Sequence, residues 1–169
     1  MSKLPVRSQW LLEVIGASAV IISLILVVLE LNESTKATRA ATSSGASQAM
    51  MQWYTEIAVN ADATDVFIRF IQDPDMLTQS QRLQGIFMLH GAMLIFQNSY
   101  FLTKEGILDA STHLTILESI VPIKDSPGFI LYWGQRKAIF NPEYQEYIEE
   151  LRKVERTTSH KLYVRENVE

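Results

Sequence analysis

Histidines and carboxylates are the side chains of this sequence best suited to acid–base or metal chemistry. The three histidines are His90, His113 and His160. None has a histidine or a carboxylate three or four residues further on, the spacing that places two metal ligands on one helical face. His90 lies in an apolar segment, where a hydrogen-bonded core histidine is the simpler interpretation. The pattern therefore predicts no catalytic residue and no metal site.

Two other polar groups have simpler explanations than a ligand site. Asp73 and Asp75 flank Pro74, and a turn with its capping residues accounts for both carboxylates. Arg136 and Lys137 are candidates for contact with a lipid phosphate, but an ion pair between Arg136 and an acid of the last helix is favoured. The sequence has no cysteine and no glycine-rich phosphate loop, so we predict no cofactor.

Composition limits the classes of partner. The 169 residues include 15 lysines and arginines and 19 aspartates and glutamates, for a net charge of −4. No basic run exceeds two residues, whereas a nucleic-acid binder needs a concentrated basic surface. We therefore predict no nucleic-acid partner. Apolar residues make up 47% of the chain, which suits one folded domain together with an apolar anchor.

A long apolar segment near the N-terminus has the dimensions of a transmembrane helix. Residues 10–31 would rise about 33 Å as a helix, enough for a hydrocarbon core of about 30 Å. A cleaved signal peptide and a buried core helix are the alternatives, although the first has a shorter apolar region and the second is rarely apolar on all faces. We predict a short tail at residues 1–9 and a span of the cell membrane at residues 10–31.

Charges near this segment bear on its orientation and contacts. Two basic residues precede it and two follow it: Lys3, Arg7, Lys36 and Arg39. With the α-amino group, they favour a cytoplasmic N-terminus under the positive-inside rule. Glu13 lies one turn from Trp10 near the membrane boundary, where its carboxylate can reach the headgroups. The other interpretation is a contact with a second helix, on the face that Glu13 shares with Gly16.

Helical periodicity and capping signals continue through residues 32–156, and no strand pattern competes with them. Thr78 and Gln81 form a capping box, while Ser126 and Asn141 each precede a proline at the first helical position. We therefore predict an all-α fold in which one N-terminal transmembrane helix continues into a small helical domain of about five helices. A polar tail is predicted at residues 157–169.

Two further helix boundaries and one buried stripe can be predicted from the same signals. Asp65 is expected to cap a short helix that ends before Pro74, and Gly106 fits the C-terminal cap of the central helix. The last helix has apolar residues at helical spacing, which predicts that it shares one core with Trp133 and Phe140. The members of this stripe are Tyr144, Tyr147, Ile148, Leu151 and Val154.

Small residues recur every four positions in the helix that follows the apolar segment. They are Ala37, Ala41, Gly45 and Ala49, and residues 40–55 carry no charge. This spacing lets two helix backbones approach closely, and Gly16 and Ala19 offer the same approach within the apolar segment. Three interpretations stay open: packing against later helices of the same chain, self-association, and an alanine-rich helix without a contact.

Several motifs occur together along the chain. They are E-x-x-G-A-x-A-V-x-I-S-L at residues 13–24, the exit LNESTKATRA, Q-N-x-Y before E-G-I-L-D, S-P-G-F, and W-x-x-R-K-x-x-F-x-P-E-Y at residues 133–144. In this set the chain resembles a widespread group of uncharacterised bacterial single-span membrane proteins with a C-terminal helical domain. The resemblance implies the same architecture and brings no activity with it.

An anchor and a small-residue strip without catalytic groups predict a non-enzymatic, membrane-anchored interaction protein. It would be an accessory subunit of a membrane complex or a homo-oligomer, in contact with membrane lipid and with a protein partner or a second copy of itself. The alternative is a membrane-tethered helical domain that binds a lipid or small ligand, in a pocket between residues 78–103 and 127–140.

Overall fold

The structure is a computed structural model that describes residues 6–154, except for the side chains of residues 6–9 and 11–13. Within this part of the chain there are six α-helices and no strand, which confirms the predicted all-α fold. Residues 1–5 and the predicted polar tail, which includes His160, lie outside the described residues. The side chain of Glu13 lies outside them as well.

The chain divides into two units, Met1–Ala41 and Thr42–Glu169. Helix α1 (Val6–Ala58) supplies the described residues of the first unit and the first helical segment of the second. The remaining helices are α2 (Ala61–Gln72), α3 (Gln79–Lys104), α4 (Ala110–Ile120), α5 (Pro127–Arg136) and α6 (Pro142–Lys153). Short 3-10 turns lie at Pro74–Met76, Val121–Ile123 and Lys137–Ile139. Five helices thus follow α1, as predicted, while the boundary between residues 31 and 32 stays a prediction.

Local capping explains where most of these helices begin. The Thr78 hydroxyl accepts the N–H of Gln81, and the side chain of Gln81 accepts the N–H of Thr78, which is the predicted capping box. Ser126 accepts the N–H of Phe129, and Asn141 accepts that of Glu143. These contacts confirm the predicted starts of α3, α5 and α6. Gly106 follows α3 with a φ of 70°, the left-handed conformation that a glycine cap adopts.

The predicted start of α2 is wrong. The helix begins at Ala61, because the Asn60 side chain accepts the N–H of Ala63 at 3.1 Å and caps the first turn. Asp65 lies inside the helix, where its carboxylate pairs with Arg69 at 3.0 Å. The end of the helix before Pro74 is as predicted.

The core of the second unit forms where α2 passes close to α3 and α5. A Cβ added at Gly128 would lie 2.1 Å from the carbonyl oxygen of Phe70, and one added at Gly85 would lie 2.3 Å from the Phe70 ring. Gly128 therefore allows the backbones of α2 and α5 to meet, and Gly85 leaves room on α3 for the Phe70 ring. The largest fully buried side chains of this core are Phe70, Phe96, Phe129, Tyr132, Trp133 and Tyr144.

The last helix packs on this core largely as predicted. Tyr144, Ile148 and Leu151 are buried, and the rings of Trp133 and Phe140 stack with centroids 5.7 Å apart. The prediction that Val154 belongs to the buried stripe is wrong. Its side chain is 46% exposed, because α6 ends at Lys153 and the backbone becomes extended at Val154.

Candidate interaction surface and groove

None of the described residues of its own unit covers the apolar segment of α1. An 18-residue window of this helix has a mean hydropathy of 2.7 and none of it is buried, so α1 is long and apolar enough to cross a membrane. Large apolar side chains along the segment are 43–63% exposed, with Val14 and Ile15 at the two limits. Gly16 and Ala19 are exposed among them.

The predicted interface strip is divided between the two units. In the first unit, Ala37 and Ala41 are exposed. In the second, Gly45 is exposed and a Cβ there would meet nothing within 4 Å, while Ala49 is half-buried. Packing within the described chain therefore covers Ala49 in part and leaves the other three residues of the strip open.

A different face of α1 packs against the core of the second unit. Ala46 and Met50 are buried, and the half-buried Trp53 and Ile57 continue this face along the helix. The Trp53 indole N–H donates to the carbonyl oxygen of Met88 in α3 at 2.8 Å. The face is thus fixed by apolar burial and by a hydrogen bond that sequence periodicity alone does not reveal.

The opposite side of α1 in this unit is exposed and carries no charge. We call this side the outer face, and its residues are Ser44, Gly45, Gln48, Met51, Gln52 and Thr55. Met51 is the largest apolar side chain on it and is 67% exposed. The first charged side chain after this run is Glu56, which accepts a hydrogen bond from Gln52. The outer face therefore combines uncharged polar side chains with two positions that have no polar side chain, Gly45 and Met51.

A groove of about 460 Å³ lies between α1 and α4 within the second unit. Each helix contributes five lining residues, and none of the ten is charged. Six are serines or threonines, namely Ser47, Thr55, Ser111, Thr112, Thr115 and Ser119, and the others are Met50, Met51, Tyr54 and Ile116. Thr115 donates to the carbonyl oxygen of Ser111, so its hydroxyl can still accept a hydrogen bond from a ligand.

The space between α3 and α5, where a pocket is predicted, is occupied by side chains. Met93, Phe129 and Tyr132 are fully buried there, and the Nδ1 atom of His90 lies 2.8 Å from the Tyr132 hydroxyl. His90 is therefore hydrogen-bonded as the sequence indicates, but it is half-buried at the edge of the core. Burial and the nearby charge of Arg136 lower the pKa of His90.

His113 connects three helices through a buried polar cluster. Its Nδ1 atom lies 2.6 Å from the Ser99 hydroxyl of α3, and its Nε2 atom lies 3.0 Å from the Tyr147 hydroxyl of α6. Ser99 is 1% exposed, so no substrate reaches its hydroxyl in this structure. Burial lowers the pKa of His113.

The cluster continues to the surface through Tyr100, whose ring stacks on that of Tyr147 with centroids 4.5 Å apart. The Tyr100 hydroxyl donates to Glu143 at 2.8 Å, and Lys104 also pairs with this carboxylate. Hydrogen bonds from Lys104 and Tyr100 lower the pKa of Glu143. Burial, together with the bond to Glu143, raises the pKa of Tyr100 to about 12.

The basic pair at the end of α5 differs from the prediction. Lys137, and not Arg136, pairs with an acid of the last helix, with its Nζ atom 3.6 Å from Glu149. The Trp133 indole N–H also donates to Glu149 at 2.9 Å. This bond is the largest cause of the lowered pKa of Glu149. Glu149 is therefore a bridge between α5 and α6, whereas periodicity assigns it to the solvent-facing side of the helix.

Asp73 and Asp75 have the structural roles that the sequence indicates. Asp73 accepts the N–H of Asp75 at the start of the 3-10 turn, and Asp75 lies 3.6 Å from Arg82. Among the residues that the structure describes, no three histidine or carboxylate side chains lie close enough together to hold a metal ion.

Comparison with known proteins finds no family model, no curated protein and no solved structure that matches this chain.

Proposed function

We propose that this is a non-enzymatic, membrane-anchored interaction protein of the bacterial single-span group that it resembles. Residues 10–31 anchor it in the cell membrane, with the N-terminus on the cytoplasmic side. The outer face of α1 then associates with a second copy of the chain or with another subunit of a membrane complex. The observation that carries the proposal is the outer face itself, which is exposed, uncharged and bare at Gly45.

The membrane assignment rests on the exposed apolar side chains of the first unit. Moving one large aliphatic side chain out of water is worth about 1.5–3 kcal/mol. The segment exposes such side chains at residues 14–15 and at most positions from 20 to 31, and none of the described residues of its unit covers them. A bilayer supplies that cover over the whole circumference of a helix, which matches a segment that is apolar on all its faces.

The interaction assignment rests on which face of α1 its own domain leaves uncovered. The domain packs on Ala46 and Met50, so the outer face is free for another molecule. Small residues allow a second helix to approach at the backbone level, and the absence of charge removes the cost of desolvating an ion. Met51 offers an adaptable apolar contact on the same side.

Substitution of Ala41 and Gly45 by leucine tests this assignment. Both residues are exposed, and Gly45 has free space around it, so we expect the melting temperature of the chain to stay nearly unchanged. The bulky side chains should nevertheless separate the partner, and the mass of the particle extracted in mild detergent should fall. Size-exclusion chromatography with light scattering measures that mass.

The matched control is Gly134→Leu on α5, where a Cβ likewise meets nothing within 4 Å. This variant should leave the particle mass unchanged. If the Ala41→Leu, Gly45→Leu double variant keeps the wild-type mass, the outer face is not the contact and the proposal is wrong.

The groove supports a second candidate function, the binding of a lipid or small ligand. Its volume lies within the range of about 300–1,000 Å³ that is typical of ligand sites, and its lining combines apolar surface with hydroxyl groups. Native mass spectrometry of the full chain should then show a bound small molecule. Thr115→Trp fills the groove and should remove this mass, whereas Leu114→Trp, at an exposed position of α4 outside the lining, should retain it.

A further inference from the structure

The buried cluster around His113 has a composition suited to the neutral ring only. A neutral imidazole has one N–H donor and one acceptor nitrogen, and hydroxyl groups can pair with either. Ser99 and Tyr147 supply one hydroxyl to each nitrogen, at 2.6 and 3.0 Å. All the hydrogen-bonding capacity of the neutral ring is therefore used, in a site where His113 is 7% exposed.

Among the residues that the structure describes, no charged side chain is hydrogen-bonded to the His113 ring. The groups that face His113 are Ser99 and Tyr100 from α3 and Tyr147 from α6, and all three are uncharged near neutral pH. The carboxylate of the cluster, Glu143, is engaged by Lys104 and by the Tyr100 hydroxyl. Within the described part of the chain an imidazolium would therefore be buried without a directly bonded counter-ion, which is costly in a protein interior.

Helix α4 is the element that can relieve this cost by moving. It is a short helix of 11 residues, and Asp109 at its start makes no side-chain capping bond. His113 itself supplies hydrogen bonds from α4 to both α3 and α6. Short helices depend on tertiary contacts for their stability. The loss of these two hydrogen bonds should therefore destabilise α4 more than α3 or α6.

We propose that protonation of His113 releases α4 from α3 and α6, which makes α4 a pH-dependent element of the fold. The release exposes the charged ring to water and removes one wall of the groove between α1 and α4. This regulation goes beyond the proposed function and holds whether or not the outer face of α1 binds a partner.

The sign of the pH dependence follows from the environment of the ring. Burial lowers the pKa of His113 in the closed state below its ordinary value of 6.5, whereas the released helix exposes the ring and restores that value. Protons therefore bind preferentially to the released form, and release becomes easier as the pH falls below 6.5. Between pH 7.5 and pH 5.5 the opening constant of α4 should rise, by about tenfold at most.

Hydrogen exchange of the full-length chain in lipid nanodiscs tests this inference. Protection factors, corrected for the intrinsic effect of pH on exchange, are compared at pH 7.5 and pH 5.5 for peptides from α4 and α3. We expect protection of α4 to fall, by about tenfold at most, and that of α3 to change far less. An equal change in both helices, or no change in α4, would overturn the inference.

Two histidine variants separate His113 from the other titrating groups. In His113→Gln the difference between α4 and α3 should disappear, because an amide keeps a donor and an acceptor but does not titrate in this range. His90→Gln is the matched control and should retain the difference, although burial lowers the pKa of His90 as well. The opposite result would assign the pH dependence to His90. If His113→Gln does not fold, an unchanged α4 in the wild type or a lost difference in His90→Gln still overturns the inference.

Discussion

Glycines occur in two regions of the second unit for opposite reasons. At Gly85 and Gly128, Phe70 occupies the space that a side chain would need. A Cβ at Gly85 would lie 2.3 Å from the Phe70 ring, and a Cβ at Gly128 would lie 2.1 Å from the Phe70 carbonyl oxygen. At Gly45, on the outer face of α1, nothing lies within 4 Å. The region around Phe70 is closed by the chain itself, whereas the outer face is left open by it.

This difference separates structural small residues from residues available to a partner. A small residue that the chain covers is explained by its own packing. A small residue that the chain leaves bare, on a helix without charge, has no such explanation within the described structure. The two regions should therefore respond differently to the same type of substitution, an added side chain.

The largest effect is expected from Trp133→Ala in the closed region. Trp133 is fully buried, stacks on Phe140 and donates to Glu149, so its removal leaves a cavity and breaks the hydrogen bond to Glu149. The free energy of unfolding should fall by about 3–5 kcal/mol. Chemical denaturation in detergent micelles, followed by near-ultraviolet circular dichroism, measures this change. An unchanged denaturation midpoint would show that this core does not stabilise the fold.

Gly128→Ala should cause the next largest loss in the free energy of unfolding. The added methyl group would meet the backbone of Phe70, which cannot rotate away, so α2 and α5 must separate. Overpacking of this kind costs about 1–3 kcal/mol. Gly134→Ala on the same helix is the control, and it should stabilise the chain by about 0.5–1 kcal/mol because nothing obstructs the methyl group. Equal effects of the two changes would remove the distinction between closed and open positions.

A smaller loss of stability is expected at low pH, where the carboxylates that join α6 to α3 and α5 become protonated. The pKa values of Glu143 and Glu149 are lowered in the folded chain, so their contribution is complete above the ordinary value of 4.5 and is lost as the pH falls through the lowered values. Stability should therefore decrease again below pH 4.5, beyond any effect of the histidines. In Glu149→Gln this acid-induced loss should be shallower than in the wild type, which a pH series of denaturation midpoints would reveal.

Much of the fold follows from local sequence signals because caps act within one turn. The capping box at Thr78 and the cap-and-proline pairs at Ser126 and Asn141 each specify a helix start through contacts between near neighbours. The predicted start of α2 is wrong for a related reason. Asn60 and Asp65 are both acceptable caps, and only the backbone conformation at Asn60 decides between them.

Contacts between distant residues account for the remaining differences. No periodic pattern indicates that Lys137 rather than Arg136 reaches Glu149, or that Ser99 and Tyr147 meet at His113. The sequence also does not indicate which face of α1 packs on the domain, because the small-residue strip and the packed face are both poor in charge. Only the burial of Ala46 and Met50 shows that the domain uses a face beside the strip.

The central claim is that the open surface of α1 meets another molecule, and site-specific cross-linking in native membranes tests it most directly. The chain has no cysteine, so Gly45→Cys provides a single thiol for a photoactivatable maleimide on the outer face. Gln84→Cys, exposed on α3, is the control. We predict a discrete cross-linked species of higher mass from Gly45→Cys and none from Gln84→Cys. No cross-linked species from Gly45→Cys, or the same products from both positions, would contradict the account.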